Sequence, residues 1–71
     1  MKLHYYPDTD SLYIELSARP GSETREVSEG VNADIDAHGK PVGFDIDRAS
    51  RVVDLSSLEA QALPLRSYRV S

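Results

Sequence analysis

The stretch VNADIDAHGKPVGFDI, residues 31–46, decides the fold. Val31, Ala33 and Ile35 alternate with Asn32, Asp34 and Asp36; Val42, Phe44 and Ile46 then alternate with Gly43, Asp45 and Asp47. A period of two is the signature of a strand with one buried face. Between the two runs lies Ala37-His38-Gly39-Lys40. A two-residue turn at His38-Gly39 would pair Ile35 with Val42, Ala33 with Phe44 and Val31 with Ile46. All three apolar pairs then share one face and the acidic residues share the other. A slip of one residue would invert every side chain, so the pattern specifies its own register.

Working toward the N-terminus, Ser28-Glu29-Gly30 reads as a three-residue hairpin loop with glycine in the left-handed position. It would set Val27, on a short strand over about 23–28, opposite Val31. Residues 17–22 (SARPGS) have the composition of a loop. Residues 3–16 read as a first hairpin. Leu3 and Tyr5 alternate on one arm, Leu12, Ile14 and Leu16 on the other, and Pro7-Asp8-Thr9-Asp10 supplies the turn. Keeping both apolar sets on one face requires an even loop, which pairs Tyr5 with Leu12 and Leu3 with Ile14. The other face then carries His4, Tyr6, Tyr13 and Glu15.

Toward the C-terminus the period changes. Asp47 is placed to cap a short turn through Ala49 and Ser50, and Val52-Val53 extends the chain. Ser56-Ser57-Leu58-Glu59 has the spacing of a capping box, predicting a helix to about Ala62 that buries Leu55, Leu58 and Ala62 and stops before Pro64. The tail from Leu65 to Val70 alternates and suits an edge strand or strand addition to a neighbouring chain. The expected fold is α+β: a small antiparallel meander of about five strands with one short C-terminal helix on its apolar face. Residues 1–50 form the sheet and 51–71 the helix and tail of a single domain.

Size and charge narrow the function classes. A chain of 71 residues buries only about 60% of the surface its unfolded form exposes. Domains of this size often need a disulfide, a metal or a partner subunit. Cysteine is absent, which removes disulfides and thiolate zinc sites. A homo-oligomer is the remedy left, with a heterologous protein partner as the other form of the same expectation. Twelve acidic residues against eight basic give a net charge of -4, which repels phosphate backbones and argues against a nucleic-acid partner. Arg66, Tyr68 and Arg69 are the one basic-aromatic group, and in a terminal strand they suit a subunit contact better. No run is long enough to span a membrane, and the N-terminus lacks a signal-peptide layout, so the expectation is a cytoplasmic protein without a membrane partner.

Chemistry has few candidates. His4, Tyr13 and Glu15 fall on one face of the first hairpin with Tyr6 beside them, the best catalytic grouping the chain offers. The same aromatic residues suit a subunit interface, for which Tyr6, Tyr13, Leu65, Tyr68 and Val70 are the candidates. Asp34, Asp36 and Asp45 share the polar face of the second hairpin, where carboxylates can chelate a hard cation; a solvated acidic face is the plainer account. Asp8 and Asp10 suit turn positions. There is no nucleophile elbow, phosphate cradle or paired zinc motif, and no cofactor is expected.

Several segments together resemble domain-of-unknown-function family 2283, short bacterial proteins. They are Tyr6-Pro7-Asp8, Asp10-Ser11-Leu12-Tyr13-Ile14-Glu15-Leu16 and Glu23-Thr24-Arg25-Glu26-Val27-Ser28-Glu29-Gly30-Val31. Asp34, Asp36, Gly39, Val42-Gly43-Phe44 and Ala49-Ser50 complete the pattern, which spans the chain from Tyr5 to Ser50. The resemblance implies a compact β-rich fold and no assigned activity. Relatives found beside small toxin-like proteins make it imply, as an alternative, a partner-neutralising antitoxin-like role. From the residues themselves the expectation is a non-catalytic, self-associating or protein-binding module. A small enzyme on the His4/Tyr13/Glu15 face, or a metal protein on the Asp34/Asp36/Asp45 face, is the remaining alternative.

Overall fold

The computed structural model describes residues 1–59 and 61. Five strands and one helical turn follow in order: β1 (Lys2–Tyr6), β2 (Ser11–Glu15), β3 (Glu23–Ser28), β4 (Val31–Ile35), β5 (Pro41–Ile46) and α1 (Ala49–Val52). All neighbouring strands are antiparallel, in the spatial order β1-β2-β5-β4-β3. This is the expected small α+β fold, with one connection that is not a hairpin.

That connection runs from β2 to β3. A plain meander would place β3 beside β2, yet β2 pairs with β5, Leu12 opposite Ile46 and Ile14 opposite Phe44. The side chains explain the choice. On the apolar face β3 offers Glu23 and Arg25, opposite Ile35 and Ala33, and these two pair with each other at 2.8 Å. Beside Leu12 and Ile14 they would desolvate charge, whereas β5 offers Phe44 and Ile46. The chain between β2 and β3 therefore crosses the end of β5. It is tied down by Leu16 N–H and Ser17 N–H to the Val42 carbonyl and by Ser22 N–H to the Ile35 carbonyl.

The central hairpin holds its expected pairs Val31–Ile46 and Ala33–Phe44, but Ile35 faces Pro41 rather than Val42. The turn is one residue longer than the sequence suggests. Asp36 N–H donates to the Lys40 carbonyl and Gly39 N–H to the Asp36 carbonyl, enclosing Ala37-His38-Gly39 with Gly39 at φ 80°. An odd loop alone would flip the faces. A bulge at Val42 restores them, and it falls next to Pro41, which has no N–H to give a central strand. The β3–β4 hairpin departs similarly. Gly30 is left-handed as expected, at φ 78°, but Ser28 faces Val31. Val27 is left outside the ladder and 61% exposed. The first hairpin has its predicted register throughout, Tyr5 with Leu12 and Leu3 with Ile14.

Leu12, Ala33, Ile35, Val42, Ile46 and Ala49 form the buried interior. Ala49, wholly buried, brings α1 onto Leu12 and Ile46, with Ile14, Val31 and Val53 packed alongside. The helix thus lies seven residues before its expected start. Over its described part the 56–62 segment is not helical. Ser56 N–H and Oγ–H bond instead to the Asp54 carboxylate at 2.9 and 2.5 Å, and Leu58 is 72% exposed. The Ser56 amide and hydroxyl on which the capping box depends are taken up by this local turn with Asp54. Leu65, Tyr68 and Val70, the tail candidates, lie outside the described residues.

Candidate functional site

Among the described residues the sheet has two faces and two free edges, β1 and β3, on which the predicted site residues of the strands can be placed. On the polar face, Tyr13 of β2 reaches across β5 to β4, where its hydroxyl donates to Asp34 Oδ2 at 2.9 Å. Thr24 of β3 donates to Asp34 Oδ1 at 2.8 Å. The ring of Tyr13 passes over Gly43, the one place on β5 without a side chain to obstruct it. A polar line thus runs over four strands. The hydrogen bond to Asp34, with burial and the nearby carboxylates, raises the Tyr13 phenol above its ordinary value.

His4 faces Tyr13 in the β1–β2 register and Glu15 faces Gly43. No hydrogen bond joins His4, Tyr13 and Glu15 among the described residues, because the Tyr13 hydroxyl is turned to Asp34. The acidic trio is also split by the fold. Asp36 is buried, 6% exposed, inside its own turn. It accepts from His38 N–H at 2.8 Å, Lys40 N–H at 2.9 Å and Arg19 Nε at 3.0 Å. Those bonds, led by the Lys40 amide, hold its carboxyl below the ordinary value. Asp45 sits between Tyr13 and Asn32. Desolvation, then the neighbouring Asp47 and Asp34, pushes its carboxyl up. Among the described residues no three His, Asp or Glu side chains are spaced to hold a metal ion.

Asp10 has a role that turn chemistry does not suggest. Its carbonyl accepts from Ala49 N–H at 2.8 Å, and its carboxylate accepts from Ser50 N–H and from Ser50 Oγ–H at 2.6 Å. The Tyr5 hydroxyl donates to the same carboxylate at 2.7 Å. Asp10 therefore caps α1 from 40 residues away, while Arg48, at the cap position itself, makes no side-chain bond there. The Ser50 hydroxyl, then Tyr5, lowers the Asp10 carboxyl below its ordinary value. A lowered carboxyl stabilises the fold above the unfolded value of about 3.9 and ceases to do so as pH falls through the folded value. Asp10→Ala is accordingly expected to melt several degrees below the parent at neutral pH. The gap should narrow as both are titrated below about pH 3.9, leaving the pH-independent part that comes from alanine in the left-handed backbone at this position, φ 53°. Thermal melts by circular dichroism across that range check it, and a gap that does not narrow would assign the loss to something other than the carboxylate.

The two free edges differ. β3 carries Glu23, Arg25 and Glu26 and is broken by the bulge at Val27, the features that discourage further pairing. β1 has no bulge and a single charge, Lys2 at its start. Its five residues pair with β2 without interruption and all are exposed. Leu3 is 42% exposed and Tyr5 45%, at the margin of the apolar face that the four-residue helix does not reach. Tyr6, 52% exposed, stands opposite Ser11. Two surface depressions among the described residues are open hollows. One is lined by Glu29, Asp47, Arg48 and Arg51, the other by Ser22, Glu23, Thr24 and Asp34. No helix of the described residues is long and apolar enough to cross a membrane.

A family model described as "Protein of unknown function (DUF2283)" matches residues 2–50. No curated protein and no solved structure matches the chain. The matched stretch ends at Ser50 and so takes in the five strands, both glycine turns and the Asp10–Ser50 cap. The segments on which the resemblance rests are spent on the scaffold. Asp10 and Ala49-Ser50 attach the helix, and Tyr13, Gly43, Asp34 and Thr24 build the polar line. Asp36 and Gly39 form the turn.

Proposed function

The chain belongs to this family, which carries no assigned activity, and on that premise we propose that it is a non-catalytic module acting through association with itself or another protein. The observation that supports this reading is the β1 margin. There a strand edge with no bulge, no acidic residue and one charge, Lys2 at its start, adjoins Leu3 and Tyr5, whose side chains the fold leaves half-exposed. Adding a strand at such an edge satisfies backbone groups and covers apolar surface in one step. The core gives a reason for it. Among the described residues no large side chain is completely buried, so a partner would supply apolar cover that the single sheet layer does not. A catalytic reading has less support, because the Tyr13 phenol that would serve His4 is already committed to Asp34.

Light scattering over a dilution series tests the reading. The chain should exceed its monomer mass of 7.9 kDa at high concentration. Leu3→Asp, which places a carboxylate on the exposed apolar margin, should return it to that mass without lowering its strand content. A parent chain that weighs 7.9 kDa at every concentration overturns self-association. A heterologous partner, of which the antitoxin-like role is one form, would then be the association left to seek.

A further inference from the structure

The association surface has a composition that identifies its partner. β1 (KLHYY) is the one strand of the five without an acidic residue; β2 has Glu15, β3 Glu23 and Glu26, β4 Asp34 and β5 Asp45. In a chain of net charge -4, it is the only strand at which a second copy would meet no opposing carboxylate on the strand. Its pattern is also self-complementary. Antiparallel pairing of β1 with itself must keep the apolar faces of both sheets on one side, which requires the paired residue numbers to have an even sum. Of the registers that meet this condition, the one with His4 opposite His4 is the one that pairs all five residues. It sets Leu3 against Tyr5 of the second copy, twice by symmetry, so the half-exposed apolar pair covers itself. On the polar face it sets the Lys2 ammonium beside the Tyr6 ring of the second copy.

Resting on the association reading above, we infer that the partner is a second copy of this chain, joined β1 to β1 in antiparallel register about His4. Two five-stranded sheets become one continuous sheet with a two-fold axis at that residue. The edges left at the outside are then the two β3 strands, which are the charged, bulged ones. Assembly therefore stops at two. A strand-edge join is of the small, reversible class, and a covalent trap reads it better than mass alone.

The chain has no native cysteine, so a single introduced one reports the register. In the full-length chain with oxidised glutathione as oxidant, His4→Cys should form a reducible disulfide dimer, because a residue on the axis faces its own copy at cross-strand distance. Leu3→Cys alone should cross-link roughly tenfold less, since its copy lies beyond disulfide reach in that register. Mixing Leu3→Cys with Tyr5→Cys should restore cross-linking as a heterodimer. Val27→Cys, 61% exposed on the other edge, sets the collisional background. A parent chain dimeric by light scattering whose His4→Cys variant cross-links no faster than Val27→Cys overturns the β1 join while leaving self-association intact. A monomeric parent with all variants at background overturns both.

Discussion

Ile46→Ala is expected to lower the stability of the fold by about 2–4 kcal/mol. Ile46 faces Leu12 of β2 on one side and Val31 of β4 on the other, and it packs against Ala49 of α1. At 7% exposure it is the residue where three elements meet. Truncation removes buried methyl groups and leaves a hole that the two ladders prevent from collapsing. A chain of 71 residues has a total stability of about 4–10 kcal/mol at the usual value per residue, so the variant forfeits a large share. At about 4–8 °C per kcal/mol for a domain this size, its melting temperature should fall by roughly 8–30 °C. Leu3→Ala, at a site 42% exposed, should cost less than half as much. Urea titrations followed by far-ultraviolet circular dichroism measure both, and equal losses would mean that the interior is not centred on Ile46.

Gly43→Ala should cost about 1–3 kcal/mol, more than a methyl group on a strand surface ordinarily does. A Cβ at this position would run into the Tyr13 hydroxyl, lie 2.6 Å from Tyr13 Cζ and stand 3.1 Å from the Ile14 carbonyl oxygen. The ring must swing away, and its hydrogen bond to Asp34 goes with it. The diagnosis is in the coupling. Once Tyr13→Ala has removed the ring, Gly43→Ala should become nearly neutral, with a residual cost from the Ile14 carbonyl. A double-mutant cycle in urea is therefore expected to give a coupling of about 1–2 kcal/mol. Additive costs would show that something other than the tyrosine reads the glycine.

The sequence pattern reaches the pairs it should reach and misses what is long-range. Val31–Ile46, Ala33–Phe44 and the whole β1–β2 register follow from period two and parity. The turn at Gly39 was one residue longer than the pattern implied, and the bulge at Val42 cancelled the difference. Periodicity sees the sum of two such irregularities and neither one alone. The β2–β5 pairing is not visible in local pattern, because any two apolar strands are equally good partners until the charges on β3 are weighed. Pro41 was a usable signal for the bulge, since a central strand tolerates proline in few other places. Asp10 was legible as a turn former, which it is, but its grip on Ser50 spans 40 residues. The capping box at Ser56 misled because it reports local preference only. Of the candidate site residues, register brought His4 and Tyr13 together as expected, while the direction of the Tyr13 hydroxyl depended on Gly43, two strands from His4.

The strand order also bears on how the chain finds this structure. β1–β2 and β3–β4–β5 are each built from neighbouring segments joined by short turns, and hairpins of that kind close in microseconds. The seam between β2 and β5 is different, for it joins residues as far apart as Leu12 and Ile46 and must wait for a large loop to close. The topology predicts that folding ends with the docking of these two units along one seam. Asp10 and Ser50 lie on opposite sides of it, so their bond forms only after docking is complete. Contacts made that late leave the rate of folding unchanged and slow its reversal. The aspartate in the first turn is thus a latch on the lifetime of the folded chain.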